Sequence, residues 1–109
     1  GIKAAYQMVD TEAEDIVKAI AERYLQIGCS VMTPNQERMK MIPKLVEEFK
    51  VDGIVEVDLQ ACTPYCVETF RVKQLADSMN VPYLAVETDY SQSDSGQLST
   101  RMEAFLEML

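Results

Sequence analysis

The chain has 109 residues, of which 48% are hydrophobic and 26% charged, ordinary proportions for one globular domain. Eighteen Asp and Glu side chains against ten Lys and Arg give a formal net charge of -8, which excludes nucleic acid and anionic membrane surfaces as expected partners. No apolar run approaches the roughly 20 residues of a membrane span, the acidic start predicts no secretory signal, and the absence of histidine excludes Ser-His and Cys-His nucleophile pairs within this chain.

The first third of the chain predicts one clear helix. Residues Ile2 to Met8 fit a strand and a helix equally well, and both alternatives stay open. From Thr11 onward apolar residues recur at three- and four-residue spacing, with Thr11 and Glu14 predicted to form a capping box and Gly28 to end the helix. The predicted apolar face consists of Ala13, Ile16, Val17, Ile20, Tyr24 and Ile27.

A strand followed by a second helix is predicted next. The short apolar segment Cys29 to Met32 leads into Thr33 as a helix cap and Pro34 as the first helical residue. Pro43 removes a backbone donor in the helix interior, so we expect a bend there or a separate first turn. The apolar face of this helix is predicted to be Met39, Ile42, Leu45, Val46 and Phe49.

The second half repeats the strand-helix order. Ile54, Val55 and Val57 favour a parallel strand buried on both faces, before a helix from Thr63 to Met79. A strand over Tyr83 to Val86 and a last helix follow, with Leu98, Met102, Phe105, Leu106 and Leu109 on its apolar face. This order predicts an α/β fold in a single domain, a three-layer sandwich with a small parallel sheet of flavodoxin-like or half-Rossmann type.

Candidate site residues gather where the predicted strands end. In a parallel sheet ligands bind at the carboxyl ends of the strands, here residues 33–35, 58–66 and 87–90. Cys62 directly precedes the predicted cap Thr63, and Cys66 lies in the first helical turn, where amides and the helix dipole stabilise a thiolate. Reactivity or metal ligation is one interpretation, and small apolar packing residues are the other.

The spacing of the cysteines limits the chemistry. C-x-x-x-C is neither the thioredoxin motif nor half of a zinc knuckle, whereas an iron-sulfur cluster sharing ligands with other parts of a longer chain remains open. An odd number of cysteines predicts a reducing compartment, the cytoplasm. The carboxylates of "VEVD" and "VETD" are interpreted as loop caps, and no G-x-G-x-x-G motif or P-loop supports nucleotide binding.

Several stretches resemble one known family. "VDGIVEVDLQACTPY" and "VPYLAVETDYSQSDSGQLSTRMEAFLEML", together with "AIAERYL" and "PNQER", are similar to the carboxyl-terminal lobe of 2-hydroxyacyl-CoA dehydratase and benzoyl-CoA reductase subunits. The resemblance runs from about Ile20 to Leu109. The resemblance implies that this chain is an excised lobe of a longer subunit. Such a subunit consists of two or three flavodoxin-like lobes and pairs with a second subunit.

The resemblance also implies a cofactor and a reaction. Members hold a four-iron four-sulfur cluster on three cysteines, one of which corresponds to Cys62. Cys66 stands where the family commonly has asparagine, and Cys29 lies in a segment like the family's "PCxMTPN", so both are lesser candidates. An ATP-dependent activator protein injects one electron through the cluster, and a ketyl radical of the acyl-CoA substrate then loses water.

The remaining expectations concern substrate contact and the isolated chain. We expect Gln60, Thr88, Asp89 and Tyr90 to line the substrate pocket, and the isolated lobe to bind no stable cluster and to be inactive. A reductase or electron-transfer member of the same family and a purely structural dimerisation lobe are the alternatives.

Overall fold

The computed structural model describes residues 8–29, 31 and 34–109. Its elements are helix α1 (Ile16–Leu25), helix α2 (Gln36–Phe49), strand β1 (Ile54–Leu59), helix α3 (Thr63–Ser78), strand β2 (Tyr83–Thr88) and helix α4 (Ser95–Leu106). The predicted α/β fold class is confirmed, because helices alternate with the strands of a small parallel sheet. The chain divides into two compact units, Gly1–Ile42 and Pro43–Leu109. Within the described ranges, no helix is both long and apolar enough to cross a membrane.

Helix α1 begins later than the sequence predicts. The N-cap is Asp15 and not Thr11, since the Asp15 carboxylate accepts a hydrogen bond from the Lys18 amide at 3.0 Å. The predicted apolar face is largely exposed, with Val17 at 77% and Tyr24 at 65%, while α1 buries Ala19 and Arg23 instead. The hydrophobic periodicity therefore marks a surface that this chain leaves uncovered.

The strand predicted over Cys29 to Met32 is not found at Cys29 or Val31, the two of its residues that the structure describes. Ser30, Met32 and the predicted cap Thr33 lie outside the described residues, as do residues 2–7. The Cys29 amide donates to the Ile27 carbonyl at 2.7 Å, and the Gly28 carbonyl accepts from the Asn35 side chain at 3.4 Å. Because turn contacts use these groups, they are not available to a neighbouring strand.

Helix α2 differs from its prediction at Pro34, while at Pro43 the separate first turn is not seen and the bend stays a prediction. Pro34 does not open the helix, because Asn35 has a positive φ of 47° and the first helical residue is Gln36. Pro43 lies inside the helix, which continues through it to Phe49 without splitting off a turn. The division between the two compact units nevertheless falls between Ile42 and Pro43.

The unit Pro43–Leu109 contains the sheet. Strands β1 and β2 are parallel, with Ile54 opposite Tyr83 and Leu59 opposite Thr88 at the two ends of the register. Helix α3 packs on both strands. Its buried positions include Val72 at 2% exposure and Ala76 at 0%, and they form the centre of this core.

Strand β1 is not buried on both faces, contrary to the prediction. Its carboxylates Glu56 and Asp58 are each 6% exposed, whereas the apolar side chain of Val57 is 62% exposed and those of Val55 and Leu59 are also exposed. The pleat sends alternate side chains to opposite faces. The Tyr83 hydroxyl donates to Glu56 and the Thr69 hydroxyl to Asp58, so the charged face is the covered one.

Helix α4 is joined to the sheet at two places. Arg101 donates from Nη2 to the Ala85 carbonyl of β2 at 2.7 Å. Phe105, 5% exposed, lies so close to Gly53 that a Cβ atom there would stand 2.8 Å from its ring. Leu106 and Leu109 are exposed, so the apolar face predicted for this helix is buried only in part.

Candidate cysteine site at the carboxyl end of the sheet

A tight turn carries the chain from β1 into α3 and fixes the position of Cys62. The Gln60 amide extends the strand ladder by donating to the Thr88 carbonyl at 2.8 Å. Ala61 then adopts a φ of 64°, in the left-handed region that favours glycine. The Cys62 amide closes the turn on the Leu59 carbonyl at 3.0 Å. The sequence "LQAC" thus places a thiol directly at the carboxyl end of the sheet.

Cys62 is itself the N-cap of α3, and Thr63, which the sequence predicted as the cap, is the first helical residue. The Cys62 carbonyl accepts from the amides of Tyr65 at 3.1 Å and Cys66 at 3.2 Å. Its side chain makes no capping hydrogen bond, and Pro64 in the first turn has no amide hydrogen to offer. A half-buried thiol with no capping hydrogen bond of its own therefore lies at the N-terminus of α3, beside the carboxyl end of the sheet.

Cys66 lies one turn further along α3 in a different electrostatic environment. Partial desolvation of the thiol and the negative charges of Glu87 and Asp58 raise the pKa of Cys66, and the neighbouring Cys62 acts in the same direction. The Cys66 side chain is exposed. Since the thiolate is the form that binds metal and reacts, its surroundings disfavour both roles at Cys66.

The four residues predicted to contact substrate lie at or just beyond the same sheet edge. Gln60 and Thr88 are joined by the backbone bond of the turn, and the Thr88 hydroxyl donates to the Asp89 carbonyl at 3.2 Å. The Asp89 carboxylate accepts from the Ser91 amide at 2.6 Å. Hydrogen bonds from the Ser91 side chain and backbone lower the pKa of Asp89. Asp89 thus organises its own loop, while Tyr90 is 91% exposed.

A cavity of about 310 Å³ with a mixed polar and apolar lining opens beside Cys66. It is lined by Asp58, Cys66, Thr69, Ala85, Val86, Glu87 and Arg101. None of the four residues predicted to contact substrate lines it. Asp58 and Thr69 meet at its wall, where the Thr69 hydroxyl donates to Asp58 Oδ2 at 2.9 Å.

Thr69 carries no sequence signal for a site, and the sequence predicts only a loop-capping role for Asp58. The signal that was available is the alternation of "VEVD", which places Glu56 and Asp58 on one face of the strand. Nothing in the sequence indicated that this face, and not the valine face, would be covered by a helix.

Cys29 belongs to the unit Gly1–Ile42 and is half-buried in the turn before α2. Its predicted place on the same sheet edge as Cys62 stays a prediction. A cavity of about 500 Å³ in that unit borders α1, and none of the predicted site residues lines it. Among the residues that the structure describes, no three Cys, Asp or Glu side chains form a group able to hold a metal ion.

The sequence matches one known family and several known proteins. The family model described as 2-hydroxyglutaryl-CoA dehydratase, D-component, matches residues 1–109. YjiM of Escherichia coli strain K12, provisionally described as a dehydratase subunit, is 53% identical over 110 residues, covering 100% of this chain and 28% of the relative.

Two further relatives carry the names of defined enzymes. The (R)-phenyllactyl-CoA dehydratase beta subunit of Clostridium sporogenes is 27% identical over 105 residues, which cover 95% of this chain and 28% of that subunit. The beta subunit of (R)-2-hydroxyglutaryl-CoA dehydratase from Acidaminococcus fermentans is 31% identical over 72 residues, which cover 66% of this chain and 19% of that subunit. The chain thus spans less than a third of the length of the curated relatives it matches.

Proposed function

The chain belongs to the 2-hydroxyglutaryl-CoA dehydratase D-component family, and we propose that it is the carboxyl-terminal lobe of a longer subunit that contributes Cys62 to an iron-sulfur cluster. The full subunit would catalyse the elimination of water from an (R)-2-hydroxyacyl-CoA to give a 2-enoyl-CoA. Two relatives are named as subunits of (R)-phenyllactyl-CoA dehydratase and (R)-2-hydroxyglutaryl-CoA dehydratase, which supports dehydration over reduction as the reaction class.

One observation carries the proposal: the Cys62 thiol lies at the N-terminus of α3, at the carboxyl end of the sheet, and makes no capping hydrogen bond. Its sulfur is therefore available as a ligand. Cys66 fits the role less well, because partial desolvation and the charges of Glu87 and Asp58 raise the pKa of its thiol. The lobe would supply one ligand, with the others coming from beyond the residues described here.

The residues of this chain would have separate tasks. Cys62 would hold one iron, and the N-terminal dipole of α3 would partly offset the negative charge of that ligand. A four-iron four-sulfur cluster, when bound, supplies the one-electron chemistry that dehydration of such a substrate needs. Gln60, Thr88 and the loop of Asp89 and Tyr90 lie beside Cys62's turn or follow β2 directly, and we assign them to the wall that orients the acyl-CoA.

The partners follow from the same proposal. A second subunit is supported by the two relatives that are named as beta subunits, and an ATP-dependent activator protein would deliver the electron. The cysteines Cys29, Cys62 and Cys66 are all free, which supports a reducing cytoplasmic location. The isolated 109-residue chain would neither retain a stable cluster nor catalyse.

Iron and acid-labile sulfide per chain provide the test, measured on the full-length subunit purified without oxygen with its partner. Cys62→Ala should lose the cluster, whereas Cys66→Ala, a matched change one helical turn away, should keep it. The wild-type complex should then dehydrate (R)-phenyllactyl-CoA or (R)-2-hydroxyglutaryl-CoA in the presence of activator, ATP and a reductant. Equal cluster content in wild type and Cys62→Ala would contradict the ligand assignment and return Cys62 to a packing role.

A further inference from the structure

Cys62 is the N-cap of helix α3, and two turns later a partly buried hydrogen bond ties the helix to strand β1. The Thr69 hydroxyl lies 2.9 Å from Asp58 Oδ2 and 3.2 Å from the Tyr65 carbonyl. Its single hydrogen can point fully at one acceptor, and the shorter contact is the one to the carboxylate. Asp58 is 6% exposed, so water does not compete freely for this bond.

The two partners of this bond flank Cys62 in the sequence, with Asp58 before it and Thr69 after it. Asp58 precedes Leu59, whose carbonyl accepts from the Cys62 amide at 3.0 Å. Thr69 lies two turns beyond Cys62, about 10 Å along the helix axis. The Thr69–Asp58 hydrogen bond therefore closes a loop of chain. This loop runs from the end of β1 through the turn with Cys62 and into the first two turns of α3.

Packing alone does not require a hydroxyl at this position. Valine has nearly the shape of threonine, and burying a carboxylate under a helix is costly unless a donor meets it. A directional bond, in contrast to apolar contact, fixes the rotation of α3 about its own axis relative to β1. Cys62 caps this helix, and its amide is held by the Leu59 carbonyl of the strand that carries Asp58, so the bond and the thiol share the same helix and strand.

We propose that Thr69 and Asp58 form a positioning pair that orients the turn bearing Cys62, and so sets the geometry of the iron-sulfur ligand. The inference rests on the proposed function, because it assumes that Cys62 is a ligand. Neither side chain is assigned to the reacting atoms.

The test compares three variants of the full-length subunit, purified with its partner without oxygen. Thr69→Val keeps the shape and removes the donor, while Thr69→Ser keeps the donor. Thr100→Val is the matched control, because the Thr100 hydroxyl bonds within its own helix to the Gly96 carbonyl at 3.0 Å and reaches no strand carboxylate. Should Thr69→Val fail to accumulate, Thr69→Ala supplies the same loss of donor with less bulk.

The readouts are the electron paramagnetic resonance spectrum of the reduced cluster, its midpoint potential and the rate of iron loss to a chelator. We expect Thr69→Val to shift the spectrum and the potential and to lose iron about tenfold faster, as changes behind a metal ligand typically do. Thr69→Ser should restore all three readouts, and Thr100→Val should leave them unchanged.

Two outcomes would overturn the inference at different levels. A spectrum and potential unchanged in Thr69→Val, with a lower melting temperature alone, would reduce the pair to a structural contact while leaving the cluster assignment intact. A cluster that survives Cys62→Ala in the same preparation would instead refute the proposed function, and the positioning role with it.

Discussion

The turn before Cys62 stores backbone strain that a single substitution can release. Ala61 has a φ of 64°, where an alanine side chain crowds the backbone. Its side chain is exposed, so replacing it changes no buried contact. We predict that Ala61→Gly stabilises the unit Pro43–Leu109, and that Ala61→Val destabilises it because a β-branched side chain fits this region worse.

The magnitude follows from two opposing terms. A non-glycine residue in the left-handed region costs about 1–2 kcal/mol, and glycine adds about 0.5–1 kcal/mol of backbone entropy on folding. The difference predicts that Ala61→Gly raises the free energy of unfolding by about 0.5–1 kcal/mol. At about 4–8 °C per kcal/mol for a domain of this size, the melting temperature should rise by several degrees.

Urea unfolding followed by circular dichroism measures the effect, with Lys50→Gly as the matched control. Lys50 has a φ of 48° directly after α2 and is also exposed, so its replacement should stabilise by a similar amount without touching the cysteine turn. A destabilising Ala61→Gly beside a stabilising Lys50→Gly would refute the reasoning for this turn.

Three further predictions concern packing, thiol reactivity and association. Gly53→Ala should lower the free energy of unfolding by about 1–3 kcal/mol, because the new Cβ atom would stand 2.8 Å from the buried Phe105 ring. Gly96→Ala is the control, since a Cβ atom there meets nothing within 4 Å, and it should be neutral or stabilising in urea unfolding. Equal effects of the two substitutions would contradict the overlap at Gly53. Iodoacetamide should label Cys66 at pH 8 more slowly than it labels an ordinary exposed cysteine, because the raised pKa of Cys66 moves thiolate formation to higher pH. Glu87→Gln should speed this labelling, which peptide mass spectrometry can follow. An unchanged rate would show that Glu87 is not a cause of the raised pKa. The isolated chain should self-associate through its exposed apolar side chains, and a monomer at high concentration in sedimentation would count against this.

Local signals in the sequence were sufficient for most of the elements. The Thr63–Pro64 pair predicted a helix start that the structure displaces by one position, since Cys62 takes the cap. The apolar runs near Ile54 and Tyr83 predicted both observed strands, because a buried parallel strand is marked by short apolar segments between turn residues. Cap identity was less predictable: Thr11 and Asp15 both suit the role, and the local backbone decided for Asp15.

The sequence by itself determined the α/β order of elements and placed Cys62 and Cys66 at the end of a strand, since both follow from patterns within a few residues. Only the tertiary structure decided which face of β1 is covered, leaving Val57 exposed and burying Asp58 against Thr69. It also decided the surroundings of Cys66, because partial desolvation and the charges of Glu87 and Asp58, brought together by a strand pairing that no local pattern encodes, raise the pKa of Cys66. Burial and electrostatics depend on residues brought together from distant parts of the chain, and for that reason they became visible only in the folded unit.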